Sequence, residues 1–119
     1  DKLTESIIAA AIEVHKLLGP GLLEAVYEEA LCHEFELRRI AFERQVPVDM
    51  VYKTKTIRGQ RLDLLVSGEV VVEIKSLKNV PDYAVSQTLS YLRASRLKRG
   101  LIINFGERKL VNGIQRVSL

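Results

Sequence analysis

Residues 61–75 read Arg61-Leu62-Asp63-Leu64-Leu65-Val66-Ser67-Gly68-Glu69-Val70-Val71-Val72-Glu73-Ile74-Lys75. Two apolar-rich runs flank Ser67-Gly68-Glu69, the pattern of a β-hairpin. Side chains alternate between faces along a strand. Leu62, Leu64 and Val66 are therefore expected on one face, and Arg61, Asp63 and Leu65 on the other. On the second run Val70, Val72 and Ile74 share a face, opposite Val71, Glu73 and Lys75. A three-residue loop pairs Val66 with Val70, so Asp63 is expected directly opposite Glu73, with Cβ atoms roughly 5 Å apart.

Two facing carboxylates repel and give a sheet no stability. A hard cation with oxygen ligands resolves the conflict. Mg²⁺, with Mn²⁺ as a substitute, suits a site that also meets phosphate. Lys75 lies two residues on, on the same face, where an ammonium can orient a water or stabilise a developing oxyanion. The competing reading is an ion-paired cluster of Arg61, Asp63, Glu73 and Lys75 on a solvated face. Against it, the run from Val70 to Lys75 reads as an inner strand, where unpaired charge is costly.

Length, charge and cysteine usage bound the alternatives. A chain of 119 residues suits one domain, residues 1–119, with a modest core. No apolar run is long enough to span a bilayer, and no signal-peptide pattern opens the chain, so no membrane partner is expected. A start at Asp1 without Met suggests a trimmed chain. The single Cys32 excludes an intrachain disulfide, fits a reducing, cytoplasmic setting, and is expected to be a buried helix residue. The net charge of +3 hides an asymmetry. Residues 1–50 carry five Lys/Arg against ten Asp/Glu, whereas residues 51–119 carry thirteen against five. The basic half contains the carboxylate pair, which favours a phosphate-bearing partner.

Outside the hairpin, Leu3, Ile7, Ala10, Ala11, Val14, Leu17 and Leu18 recur at helical spacing over residues 3–18. Gly19-Pro20-Gly21 ends that helix. A second helix is expected from Leu22 to Arg39, with Leu23, Val26, Tyr27, Ala30 and Leu31 toward the core. Val46, Val48, Met50 and Tyr52 alternate as a strand over 44–52, in which Pro47 argues for an edge or a bulge. Pro81 suits the first turn of a third helix over 82–97. A short strand over 101–105, a turn at Asn112-Gly113 and a last strand over 114–117 complete the order α-α-β-β-β-α-β-β. The expected fold class is α/β, with a central mixed sheet flanked by helices.

Other residues are candidates for the same site. Glu24 opens the second helix, where a carboxylate is also favourable for the helix dipole alone. Glu28 lies one turn on. Gln87 and Tyr91 share a face of the third helix, as does the packing stripe of Ala84 and Thr88. His15 and His33 have no second ligand at zinc spacing. No phosphate-binding loop, dinucleotide fingerprint or nucleophile elbow is present.

The stretch Gly21-Leu22-Leu23-Glu24-Ala25-Val26-Tyr27 resembles the signature of the GxxExxY proteins, a branch of the PD-(D/E)xK nuclease superfamily. The resemblance continues through Arg44-Gln45-Val46-Pro47-Val48, Arg61-Leu62-Asp63, Glu73-Ile74-Lys75, Gln87-Thr88-Leu89-Ser90-Tyr91-Leu92 and Asn104-Phe105-Gly106, which covers nearly the whole chain. It implies a restriction-endonuclease-like αβββαβ core and Mg²⁺-dependent hydrolysis of phosphodiesters. Asp63 and Glu73 would be metal ligands and Lys75 the catalytic lysine. Glu24 would complete the site as both ligand and catalytic acid, and Gln87 and Tyr91 resemble a QxxxY element. Leu62 departs from the pattern, standing where many members have Pro.

The expected function is therefore a metal-dependent nuclease acting on nucleic acid, DNA rather than RNA. The backbone carbonyl of Ile74 is a further candidate ligand. Lys53, Lys55, Arg58, Arg61, Lys78, Arg93 and Arg96, with Tyr91, are the candidate nucleic-acid contacts. The alternative is a nucleic-acid-binding or regulatory module on the same fold without turnover. A domain of this size has little room to wrap a duplex, and a homodimer or a partner would supply more.

Overall fold

Asp1 accepts the Thr4 N–H at 2.8 Å and so caps α1 (Lys2–Leu18) in the computed structural model, which describes residues 1–119. Helix α1 buries Ile7, Ala10, Ala11 and Val14, and it ends at Gly19, whose φ of 71° favours glycine. Helix α2 (Glu24–Leu37) buries Tyr27, Leu31, Cys32 and Phe35. Burial pushes the Cys32 thiol up to about 11, the behaviour of an inert core cysteine. Leu17, Leu18, Leu23 and Val26, expected in the core, are exposed instead. The first two lie in the last turn of α1, Leu23 precedes α2 as its N-cap residue, and the buried stripe of α2 is rotated past Val26.

Five strands follow: β1 (Phe42–Tyr52), β2 (Lys55–Val66), β3 (Val70–Lys75), β4 (Arg99–Asn104) and β5 (Ile114–Ser118). They lie in that order across one mixed sheet, in which only β3 and β4 are parallel. The parallel pair needs a crossover, which α3 (Tyr83–Ser95) supplies. Pro81 precedes α3 rather than opening it, and its carbonyl accepts the Ala84 N–H at 3.0 Å. The expected order of elements holds, with a 3₁₀ turn over Leu110–Gly113 where the Asn112-Gly113 turn was expected. Pro47 sits on edge strand β1, where a missing donor costs no ladder bond.

The helices cover opposite faces of the sheet. Under α1 and α2 lie Leu64, Val66, Val72, Ile74, Leu101 and Ile103. Under α3 lie Val48, Leu62, Val71, Ile102 and Val117. Strand β3 is buried at every position except Lys75, as its unbroken apolar run implied. No helix is long and apolar enough to cross a membrane.

One expectation fails here. Leu62 does not share a face with Leu64 and Val66, because it packs under α3 while they pack under α1 and α2. Both strands of the β1–β2 ribbon change sides together. Arg44 pairs with Leu64 and Val46 with Leu62, and Gln45 and Asp63 between them are unpaired. Gln45 holds a φ of 50°, a left-handed kink that breaks alternation in β1. A second irregularity lies further out. The register shifts between Val48 and Met50, opposite Gly59 at φ 109°. Beyond Leu64 the second edge of β2 has no neighbour, so the ribbon projects from the sheet as a two-stranded arm.

Candidate active site

The β2–β3 ladder pairs Val66 with Val70, Leu65 with Val71 and Leu64 with Val72, and it stops there. Asp63 is therefore not a ladder partner of Glu73, contrary to the simple register. Its side chain replaces the next rung: Oδ2 accepts the Ile74 N–H at 2.8 Å. The strands splay at this point, and the Asp63 carboxylate sits in the opening beside Glu73.

Glu73 is only 7 % exposed, and its Oε1 is fully buried without a hydrogen-bond partner. Burial first, and then the adjacent Asp63 carboxylate, push its acid up to about 9 from an ordinary 4.5, with partial relief from the Lys75 ammonium. A buried carboxyl oxygen with no donor, next to a second carboxylate, is a costly arrangement for the protein alone. It fits a hard divalent cation, which supplies the missing positive charge.

A stability prediction follows from the raised acid. The folded state holds the Glu73 proton more tightly than the unfolded chain does. That contribution is complete below the unfolded value of 4.5 and is lost as pH rises toward about 9. In EDTA the melting temperature of the wild type should fall, relative to that of Glu73→Gln, between pH of about 5.5 and about 8.5. Parallel pH profiles for the two proteins would show that Glu73 is not the strained group.

Helix α3 supplies the next layer. The Tyr91 hydroxyl donates to Gln60 Oε1 at 3.1 Å. Burial and the Glu73 and Asp63 charges push this hydroxyl up, and the Gln87 side chain opposes them. Tyr91 thus lies within reach of the carboxylate pair, and Gln87 is its neighbour on α3. Gln60 belongs to the outer part of β2, which begins at Lys55, six residues before the expected start. That stretch lacks an apolar alternation and therefore carries no strand signal.

Glu24 is held at the other end of the site. Its Oε2 accepts the Ser76 N–H at 3.3 Å, one residue after Lys75, and the Ser76 hydroxyl donates to the Leu22 carbonyl. No three His, Cys, Asp or Glu side chains converge on one point, so Glu24 borders the Asp63–Glu73 pair without closing on it. Glu28 turns away and binds Arg44 and Gln45.

Tyr27 fixes the Glu24 segment. Its ring stacks on Phe105 with centroids 4.5 Å apart. Its hydroxyl donates to the Gly19 carbonyl and accepts the Leu22 N–H at 3.1 Å. The spacing of Gly21, Glu24 and Tyr27 thereby acquires a cause: the tyrosine pins the turn that presents the acid, and Gly21 turns it at φ 97°. Tyr27→Phe keeps the stack but removes the partner of two part-buried groups, the Gly19 carbonyl and the Leu22 N–H, and it should cost about 1–2 kcal/mol in chemical denaturation. A loss below about 0.5 kcal/mol would mean that water replaces both bonds.

Of the candidate nucleic-acid contacts, Tyr91 departs from expectation: it is buried in the core under α3 with its hydroxyl on Gln60, whereas the basic candidates share one property. Lys53, Lys55, Arg58, Arg61, Lys78, Arg93 and Arg96 are all exposed, and none forms a salt bridge. Arg38, Arg44 and Arg99, by contrast, are engaged by Glu34, by Glu28 and Glu29, and by Asp1 and Glu69. Asp63 and Lys75 are half-exposed beside the buried Glu73, and a separate cleft lies beside α1 among Lys2, Glu5, Ser6, Ala9, Arg38 and Ile40.

No curated protein and no solved structure gave a significant match to the chain. A family match exists and runs through every element described above, from residue 1 to residue 117. With its five-stranded mixed sheet between helices, and with Asp63, Glu73 and Lys75 at the splayed end of β2 and β3, the chain belongs to the PD-(D/E)XK nuclease superfamily.

Proposed function

We propose that residues 1–119 act as one metal-dependent nuclease of the GxxExxY type, hydrolysing phosphodiesters in DNA. The observation that carries this reading is Glu73: buried, unpartnered at Oε1, and adjacent to Asp63. Asp63, Glu73 and the Ile74 carbonyl would hold Mg²⁺, with Glu24 at the border and waters or phosphate oxygens as the remaining ligands. Bound there, the ion would neutralise charge on the scissile phosphate and acidify a water. Lys75 follows Glu73 by two residues on the open side, where its ammonium would orient the attacking water and offset transition-state charge. Gln87 and Tyr91 would position the phosphate from α3.

The test is cleavage of a panel of single- and double-stranded DNA and RNA with Mg²⁺, with Mn²⁺ and with EDTA. Metal-dependent products that vanish in Asp63→Asn are expected. Binding without cleavage under every metal condition would favour the non-catalytic module. Sedimentation of the free protein decides whether a homodimer forms.

A further inference from the structure

The arm beyond the kink at Gln45 is chemically unlike the rest of the sheet. Residues 51–61 are exposed at every position, on both faces of the ribbon. The stretch carries Lys53, Lys55, Arg58 and Arg61, and Asp49 is the one acidic residue on its outer strands. No carboxylate pairs with any of these cations. Charged edges also discourage strand-to-strand aggregation, but mixed signs would serve that purpose equally well. An isolated two-stranded ribbon is marginal in water by itself. A single-signed one carries an added repulsion that a polyanion would relieve.

We propose that this arm is a groove-docking element for duplex DNA, seated in the major groove next to the phosphate that is cut. The proposal rests on the nuclease reading for the position of the cut, and its binding element is separable from that reading. A two-stranded ribbon fits the B-form major groove, about 12 Å wide, whereas the A-form groove of duplex RNA is too narrow for it. Along β2 the distance from Asp63 to Arg58 is about 17 Å and to Lys55 about 26 Å, at about 3.3 Å per residue. Both lie within one turn of B-DNA, about 34 Å. Arg93 of α3 lines a cleft against Asp49, Met50 and Val51, so the basic strip continues from the arm onto the helix over the site. The Tyr91–Gln60 hydrogen bond ties the arm's base to the same helix.

The test uses the full chain in EDTA, where cleavage is blocked, with a fluorescent duplex of about three helical turns, an RNA duplex of the same sequence and the DNA single strand. The arm variant is Lys53→Ala/Lys55→Ala/Arg58→Ala. All three sites are exposed, and circular dichroism checks that the fold is kept. The variant should bind duplex DNA about 100-fold more weakly at low salt, with a log–log salt slope smaller by about 2.7. Wild-type protein should protect guanine N7, which lines the major groove, from methylation, and should prefer the DNA duplex to the RNA duplex. Equal binding by variant and wild type, equal affinity for RNA, or unprotected N7 would each overturn the proposal. So would a wild-type dimer that the variant converts to monomer without loss of DNA binding. With both proteins also assayed for cleavage in Mg²⁺ and Mn²⁺, arm-dependent binding by a protein that never cuts would sink the nuclease reading alone, and cutting that is equal in variant and wild type would sink the groove proposal alone.

Discussion

Lys75→Ala is expected to slow DNA cleavage by about 100-fold or more while leaving affinity for DNA nearly unchanged. The charge that Lys75 would meet develops only as the phosphate is attacked, so its loss acts on the transition state and little on the bound ground state. A second effect has the same origin. The Lys75 ammonium is one of the influences holding the Glu73 acid down, so its removal raises that acid further. The variant should therefore need a higher pH or more metal to reach its residual maximum, and rates must be compared at saturating metal. Single-turnover kinetics with a labelled duplex, paired with binding in EDTA, separates the two effects. A fall in affinity matching the fall in rate would make Lys75 a phosphate-positioning residue instead.

Gly106→Ala should be the most damaging small substitution in the chain. A Cβ at Gly106 would lie 2.3 Å from the Leu77 carbonyl oxygen and 2.8 Å from its nitrogen. That backbone cannot yield freely. The Asn104 side chain accepts the Leu77 N–H at 2.9 Å and donates to the Leu77 carbonyl at 2.8 Å. Relief of the clash must break these bonds, which are almost fully buried at Asn104. Overpacking plus lost hydrogen bonds gives about 3 kcal/mol, which is about 10–15 °C in Tm for a chain of this size. Leu77 lies two residues after Lys75, so the surviving protein should also cut poorly. Asn104→Ala should weaken the same junction, and the two changes together should cost less than their sum. A Tm for Gly106→Ala within about 2 °C of wild type would mean the loop moves at little cost.

The site was more legible than its immediate geometry. Asp63, Glu73 and Lys75 stand out because charge interrupts apolar strand runs, and the structure brings the first two together. Strict alternation, however, put Leu62 beside Leu64 and paired Asp63 with Glu73, and both inferences fail at one place. The left-handed residue there is Gln45, a residue type with no special claim to that conformation. Nothing in the alternation of β1 announces a kink at such a residue. Gln60 was missed for a related reason: an arm with no core has no hydrophobic period to read. Asn104 and Gly106 were visible as part of a family resemblance, but their joint grip on Leu77 joins residues 27 apart and emerges only in three dimensions.

The paired break at Gln45 and Asp63 has an evolutionary corollary. Register in the sheet is fixed on the inner side of the break, by the Arg44–Leu64 and Val66–Val70 pairs and by the Asp63–Ile74 bond. Outside the break the same offset runs on through Val46–Leu62 to Val48–Gln60, and it shifts between Val48 and Met50, so the pairs beyond that second irregularity set nothing in the sheet. Matched insertions or deletions of two residues per strand near Lys53 would change the arm's reach in steps of about 7 Å and leave the carboxylates where they are. If the arm docks on DNA as proposed, lineages of this fold can diverge in target choice by indels at the tip, with the carboxylate pair inherited unchanged.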